Sequence, residues 1–144
     1  MNVHTWTWLI AIPLVSSPVV FLLGREGSGR DPVRSRRTAA HWIALFALAA
    51  MAFPYFRATQ ELVLKGPSTL VVGMINLKAD GLSLLMAGIV ITLAALVVLF
   101  SGPYMAGDME EKKFYAILMV MVGAMIGLAS AGDLFNLWVW FETM

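Results

Sequence analysis

The sequence predicts an all-α membrane protein with four transmembrane helices and the start of a fifth. Hydrophobic residues make up 60% of the 144 residues and charged residues only 13%. A soluble domain has about 45–50% apolar and about 25% charged residues. Four segments also approach the length of about 20 apolar residues that crosses about 30 Å of hydrocarbon at about 1.5 Å per residue. No acidic or basic residue lies at the centre of any of the four.

The first segment is predicted to be a retained span. A cleaved signal peptide needs positive charge before its apolar run, and no Lys or Arg precedes Arg25. Pro13 and Pro18 lie inside the segment and predict a kink or a weak end. A fifth segment has only eleven residues, too few to span. The predicted spans are residues 5–24, 38–56, 81–102 and 114–131, followed by the short segment 134–144.

The positive charges predict the orientation. Seven Lys and Arg residues fall in the loops after the first and third spans, and three follow the second. The positive-inside rule then places the N-terminus outside, and the arginine cluster at 25–37 is interpreted as a topology determinant. The seven are Arg25, Arg30, Arg34, Arg36, Arg37, Lys112 and Lys113, and the three are Arg57, Lys65 and Lys78.

The loop predicted outside, residues 57–79, is the longest non-helical stretch. Its apolar runs "ELVLK" (61–65) and "TLVVGMINL" (69–77) flank Gly66, Pro67 and Ser68. Gly-Pro-Ser is a turn sequence, so the two runs are predicted to be short strands on either side of it.

Several classes of chemistry lack their usual residues in this sequence. There is no cysteine, so disulfides, iron–sulfur ligation and thiol chemistry are excluded. The only histidines, His4 and His41, lie far apart, and no pattern indicates a metal site. No basic patch with interleaved aromatics indicates nucleic acid. We therefore expect no cofactor, no metal and no nucleic-acid partner.

Glu142 is the residue most indicative of function. It lies nine residues after Asp133, or about 14 Å along a helix, which is close to half the hydrocarbon thickness. A charge at that depth costs about 2.5–3.5 kcal/mol on insertion scales, so the group must be protonated, paired or in a wet cavity. We interpret it as a proton-binding site that a neighbouring cation can switch. The alternative is that the short helix lets Glu142 reach water or headgroups.

The other polar candidates have simpler interpretations. Asp80 and Asp133 each precede an apolar helix, and we predict that both are N-caps. Asn136 is predicted to hydrogen-bond to a neighbouring helix. His41 lies about one turn into the second span, which favours an interfacial histidine over a proton-relay residue.

Two further patterns indicate structure rather than chemistry. Residues 110–113 carry two acids and two lysines and are interpreted as a solvated loop. Gly123 and Gly127 form a G-x-x-x-G pattern, which lets helix backbones approach closely and predicts packing.

Residues 80–144 resemble the antiporter-like membrane subunits that respiratory complex I shares with Mrp-type sodium/proton antiporters and membrane-bound hydrogenases. The resemblance rests on the Asp-Gly-Leu-Ser that opens the third span and the Tyr-Met that ends it. It continues with the Phe-Tyr that opens the fourth span and with "GDLFNLWVWFE" at the start of the fifth. Residues 1–79 are compatible with the same family, in which the N-terminus is likewise outside.

The resemblance implies a role for Glu142. In this family an acid on the fifth helix takes part in proton translocation and pairs with a lysine on a later helix. Glu142 matches this acid by motif. The redox cofactors of such complexes sit in other subunits, so any NADH-quinone oxidoreductase activity would belong to the whole complex. Implied partners are other membrane subunits, protons or sodium, and the lipid bilayer of the cell's inner membrane.

The resemblance also implies that the bundle is incomplete. Family members build their ion path from two inverted helical repeats, and this sequence ends before the first would be complete. We therefore expect an N-terminal fragment of a polytopic antiporter-like domain. Two alternatives stay open: a vestigial structural membrane protein without transport of its own, and a small oligomeric channel. The channel is disfavoured because the four spans carry no central charge for a pore.

Overall fold

The fold, from a computed structural model, is a bundle of α-helices with one β-hairpin, described for residues 3–23, 39–72, 75–105 and 110–144. Four helices are long and apolar enough to cross a membrane, as the sequence predicts. The helices are α1 (Val3–Leu23), α2 (Ala39–Lys65), α3 (Gly81–Met105), α4 (Glu111–Ala129) and α5 (Leu134–Thr143), with strands β1 (Ser68–Val72) and β2 (Ile75–Ala79).

Small residues let the helices pack closely. Helix α1 packs against both α2 and α4, and α3 packs against the same two helices. Half of the buried residues of α2 are alanine, including Ala40, Ala44 and Ala47. A Cβ on Gly123 of α4 would lie 2.8 Å from Leu14 Cγ of α1, so this glycine is needed for the α1–α4 contact. Packing of small residues is the usual way in which membrane helices associate, because lipid offers no hydrophobic driving force between them.

Both prolines of α1 lie inside a continuous helix that runs from Val3 to Leu23. Membrane helices tolerate proline where neighbouring groups satisfy the freed backbone. The Ser16 hydroxyl donates to the carbonyl of Pro13 at 2.9 Å. The carbonyls whose N–H partner the two prolines lack are those of Leu9 and Leu14. The arginine cluster at 25–37 lies outside the described residues, so the predicted orientation stays a prediction.

The loop after the second span differs from the prediction. Helix α2 continues to Lys65, so the run "ELVLK" is its last turns rather than a strand. The helix ends at Gly66, whose φ of 75° is a left-handed conformation that glycine adopts without strain. Both strands lie within residues 68–79 and pair antiparallel, with Val72 opposite Ile75. A short apolar run fits a helix end and a strand equally well, which explains the error.

The hairpin is attached to the connection between α4 and α5. The N–H of Lys78 donates to the carbonyl of Ser130, and the N–H of Gly132 donates to the carbonyl of Asn76, both at 2.7 Å. Leu77 and Ala131 form a bridge between these bonds. A Cβ on Gly132 would lie 2.8 Å from the Asn76 carbonyl oxygen, so the connection approaches β2 as closely as glycine allows. The hairpin therefore fixes where α5 begins.

Asp80 connects the hairpin to α3. The Ser83 N–H donates to Asp80 Oδ1 at 2.9 Å, and the Asp80 N–H donates to Ser83 Oγ at 2.9 Å. This reciprocal arrangement satisfies backbone donors that a helix start leaves free. The backbone bond from Ser83 lowers the pKa of Asp80, with support from the Ser83 hydroxyl and Lys78, against the opposing effect of burial.

We expect Asp80→Ala to destabilise the protein by about 0.5–2 kcal/mol, the usual cost of a lost N-cap. Because the pKa of Asp80 is lowered in the folded protein, its charged form stabilises the fold fully when the pH is above the unfolded pKa of about 3.9. This stabilisation is lost as the pH falls through the folded pKa. The thermal unfolding midpoint in detergent, followed by circular dichroism, should therefore differ most between wild type and variant at neutral pH.

Two variants serve as controls for this prediction. Asp80→Asn retains a capping side chain and should keep most of the stability at neutral pH, without the acid-dependent part. Glu110→Ala removes an exposed carboxylate that pairs with Lys113 at 2.8 Å, and surface pairs contribute little. An Asp80→Ala deficit that is the same at pH 3 and pH 7 would contradict the assignment.

Candidate functional site

The fifth helix begins with a polar cap at the hairpin end of the bundle. Asp133 has extended backbone angles and accepts from the Asn136 N–H at 2.7 Å. The Asn136 side-chain amide donates to the other oxygen of Asp133, also at 2.7 Å. Asn136 is 3% exposed. The sequence predicts that its side chain bonds to a neighbouring helix, but this amide N–H donates within its own helix cap. The cap gives α5 a defined first turn.

Two contacts place the rest of α5 on the bundle. The Trp140 ring lies over Gly127 of α4, where a Cβ would approach its Cδ2 to 2.5 Å. Further along, Thr143 and Met144 border a cavity of about 360 Å³ together with Ser17 of α1 and Val120 of α4. Val120 is the central residue of α4. The same cavity is also bordered by Phe21 near the end of α1 and by Ala116 in the second turn of α4, so the end of α5 lies beside the first half and the middle of α4. The depth of Glu142 in the membrane stays a prediction.

Glu142 lies on the outer side of α5 and is exposed. Phe135 and Trp138, seven and four residues earlier, share this face and are 64% and 58% exposed. Among the residues that the structure describes, no ion pair joins Glu142 to a lysine or arginine. The carboxylate thus lies on an apolar surface open to lipid or to a further helix.

A second polar group lies at the opposite end of the bundle. The Tyr115 hydroxyl of α4 lies 3.0 Å from His41 Nδ1 of α2 and 3.1 Å from Ser101 Oγ of α3. His41 and Tyr115 are both fully buried. A Cβ on Gly102 would lie 2.8 Å from the His41 ring, so the histidine fills the space that this glycine leaves. His41 has the predicted position near the start of α2, but its side chain is enclosed by helices.

The charged segment before the fourth span is only partly solvated. Lys113 pairs with Glu110 at 2.8 Å, and both side chains are largely exposed. Glu111, by contrast, is 4% exposed and opens α4. The prediction of a solvated loop is wrong for Glu111, which lies in the first turn of a helix that begins three residues earlier than predicted.

The predicted site residues do not form one site. Asp133, Asn136 and Glu142 share α5, with the first two at its start and the acid near its end. Asp80 lies at the hairpin, and His41 lies at the other end of the bundle with Tyr115 and Ser101. The sequence analysis did not predict that Tyr115 and Ser101 lie beside His41. The signal was available, since the starts of α2 and α4 and the end of α3 meet at one end of an antiparallel bundle. The described residues include no group of three or more potential metal ligands.

Comparison with known proteins identifies relatives of the chain. Residues 70–115 match the family described as "NADH-Ubiquinone oxidoreductase (complex I), chain 5 N-terminus". The chloroplastic NAD(P)H-quinone oxidoreductase subunit 5 of Adiantum capillus-veneris is 32% identical over 109 residues, which cover 68% of this chain and 15% of the relative.

Two other relatives come from different complexes. A probable inorganic carbon transporter subunit, DabB2, of Halothiobacillus neapolitanus is 25% identical over 133 residues, or 88% of this chain and 24% of the relative. The Na(+)/H(+) antiporter subunit A1 of Staphylococcus haemolyticus is 33% identical over 67 residues, or 46% of this chain and 8% of the relative. The chain spans less than a quarter of the length of each of these three relatives.

We expect Gly127→Val to push Trp140 off α4 and to loosen α5, because the ring already lies closer than a Cβ allows. Overpacking of this kind costs about 1–3 kcal/mol. The unfolding midpoint in detergent should fall, and residues 133–144 should become more sensitive to protease. Gly81→Val is the matched control, since a Cβ at Gly81 meets nothing within 4 Å. Equal losses in both variants would contradict a specific α4–α5 contact.

Proposed function

We propose that this chain acts in a membrane complex that translocates protons, or exchanges sodium for protons. The premise is that the chain belongs to the antiporter-like membrane subunit family, which includes subunits of complex I and of sodium/proton antiporters. Glu142 is proposed as its proton-binding residue. The single observation that carries this proposal is the position of the acid, at the mid-span depth predicted from its spacing to Asp133, on a short helix with no other charged residue. A structural role would not require a carboxylate there, since a charge at that depth is costly.

The proposed mechanism uses the charge state of Glu142. We propose that Glu142 takes up a proton and releases it when a cation is brought alongside, since a nearby cation favours the charged form of a carboxyl group. We propose that a lysine from another helix of the assembled complex supplies this cation. The exposed face of Phe135, Trp138 and Glu142 supports the idea, because it offers an apolar surface with one acid at its end.

The proposed setting is a multi-subunit complex in the cell's inner membrane, with the N-terminus outside. The excess of Lys and Arg in the loops after the first and third spans supports this orientation. The hairpin and the start of α5 would then lie on the outer side. Redox steps, where the parent complex performs them, are proposed to take place in other subunits.

We expect Glu142→Gln to abolish ion transport by the assembled complex while assembly is retained, because the amide cannot exchange a proton. Transport would be followed in inverted membrane vesicles by quenching of a pH-sensitive dye, with sodium present and absent. Assembly would be followed by native gel electrophoresis.

Two variants make the Glu142→Gln result specific. Glu142→Asp keeps the ionisable group and should retain part of the transport, whereas Glu110→Gln removes an exposed acid outside the apolar segments and should change nothing. Normal transport by Glu142→Gln would overturn the assignment and favour a structural or vestigial role for the chain.

A further inference from the structure

A groove between α1 and α2 runs from the hairpin end of the bundle past its middle. Its upper part is a cavity of about 400 Å³ with Thr5, Arg57 and Glu61 at the top. Its lower part is a cavity of about 450 Å³ that extends to Val19 and Ile43. Trp8, Ile12 and Ala50 line both parts, so the two are continuous.

The two ends of the groove differ in chemistry. The lower part is lined almost wholly by apolar side chains, and Phe46 and Trp8 beside it are 74% and 58% exposed. The polar groups are confined to the hairpin end, on the last turns of α2. This is the pattern of a phospholipid site, with a headgroup level and an acyl level, and tryptophan commonly lies at such a boundary.

The groove is also long enough to hold the acyl chain of a lipid. On α2 it runs from Arg57 to Ile43, which is about 21 Å of helix at about 1.5 Å per residue. One leaflet contributes about 15 Å of hydrocarbon to a bilayer core of about 30 Å. Arg57 directly follows the predicted second span, which ends at residue 56, so the groove extends from the headgroup boundary past the middle of the hydrocarbon core.

The charges at the top select among headgroups. The Arg57 guanidinium lies 5.3 Å from the centroid of the Phe53 ring, which holds it over the cavity that both residues line. Guanidinium is the group best suited to bind phosphate through paired N–H bonds. Glu61 lies one helical turn further on, where its carboxylate accepts from Thr5 Oγ1 at 3.3 Å. A carboxylate accepts several donors at its two oxygens, so an ammonium can join the groups that already bind Glu61.

We propose that this groove is a binding site for a zwitterionic phospholipid whose headgroup ends in a primary ammonium, such as phosphatidylethanolamine. Arg57 binds the phosphate, Glu61 accepts from the ammonium, and one acyl chain lies along α1 and α2 between Trp8 and Phe46. The two-carbon spacing of ethanolamine suits groups one helical turn apart. A trimethylammonium headgroup has no N–H to donate, and a glycerol headgroup has no positive charge. The site is separate from Glu142 and does not depend on transport.

The test is lipid competition on the full chain, purified in detergent and delipidated. Equal amounts of phosphatidylethanolamine, phosphatidylcholine and phosphatidylglycerol with identical acyl chains are added, and bound lipid is counted by native mass spectrometry. We expect phosphatidylethanolamine to be retained roughly tenfold over phosphatidylcholine, the ratio set by one charge-assisted hydrogen bond. Equal retention of all three lipids would overturn the proposal and indicate non-specific lipid contact.

Variants assign the contacts. Glu61→Gln should bring the preference for phosphatidylethanolamine over phosphatidylcholine down to about one, and Arg57→Gln should lower retention of all three lipids. Lys65→Gln, which removes a charge from the same helix outside the groove, should change neither. Loss of the preference in Lys65→Gln, or its persistence in Glu61→Gln, would overturn the assignment of Glu61.

A matched pair tests the acyl level. Ala50→Leu fills the point where the two parts of the groove meet and should lower retention of all three lipids. Ala49→Leu adds the same side chain at an exposed neighbour that does not line the groove, and should bind as wild type. Equal binding by both variants would place the acyl chain elsewhere and contradict the proposal.

Discussion

The position of α5 depends on a few backbone hydrogen bonds between β2 and the connection at 130–132. Two bonds of 2.7 Å and the Leu77–Ala131 bridge hold this connection against the hairpin. They fix the point from which α5 turns back along the bundle. The Asp133 cap then sets the first turn, and the contact of Trp140 with Gly127 sets the direction. The position of Glu142 along the bundle follows from these three constraints.

The bundle itself places polar groups at two ends and leaves an apolar outer surface between them. Its close helix contacts use glycine and alanine, which cost little side-chain entropy and let backbones approach. At one end, Tyr115 joins His41 and Ser101 from two other helices. At the other, the hairpin, the caps of α3 and α5 and the top of the α1–α2 groove lie together. Glu142 differs from all of these, because it lies between the two ends.

Much of the architecture could be predicted from the sequence, because span length and hydropathy are read directly from composition. The four spans and the short fifth helix follow from this, as does the packing role of Gly123 and Gly127. Residues 61–65 could not be assigned correctly, since a short apolar run fits a helix end or a strand. The burial of Glu111 and the Tyr115 contacts with His41 and Ser101 depend on how helices rotate against each other. A weak helical periodicity in membrane spans does not encode that rotation, so these contacts required the structure.

The measurement that tests the account most directly is the depth of the end of α5 in a bilayer. The chain has no cysteine, so Thr143→Cys and Leu134→Cys can each carry one nitroxide label without further changes. In liposomes, the accessibility of each label to oxygen and to a water-soluble nickel complex reports its depth. We predict the label at 143 near the midplane, about 14 Å deeper than that at 134. Both labels at headgroup depth would contradict the central claim, because Glu142 would then lie in reach of water.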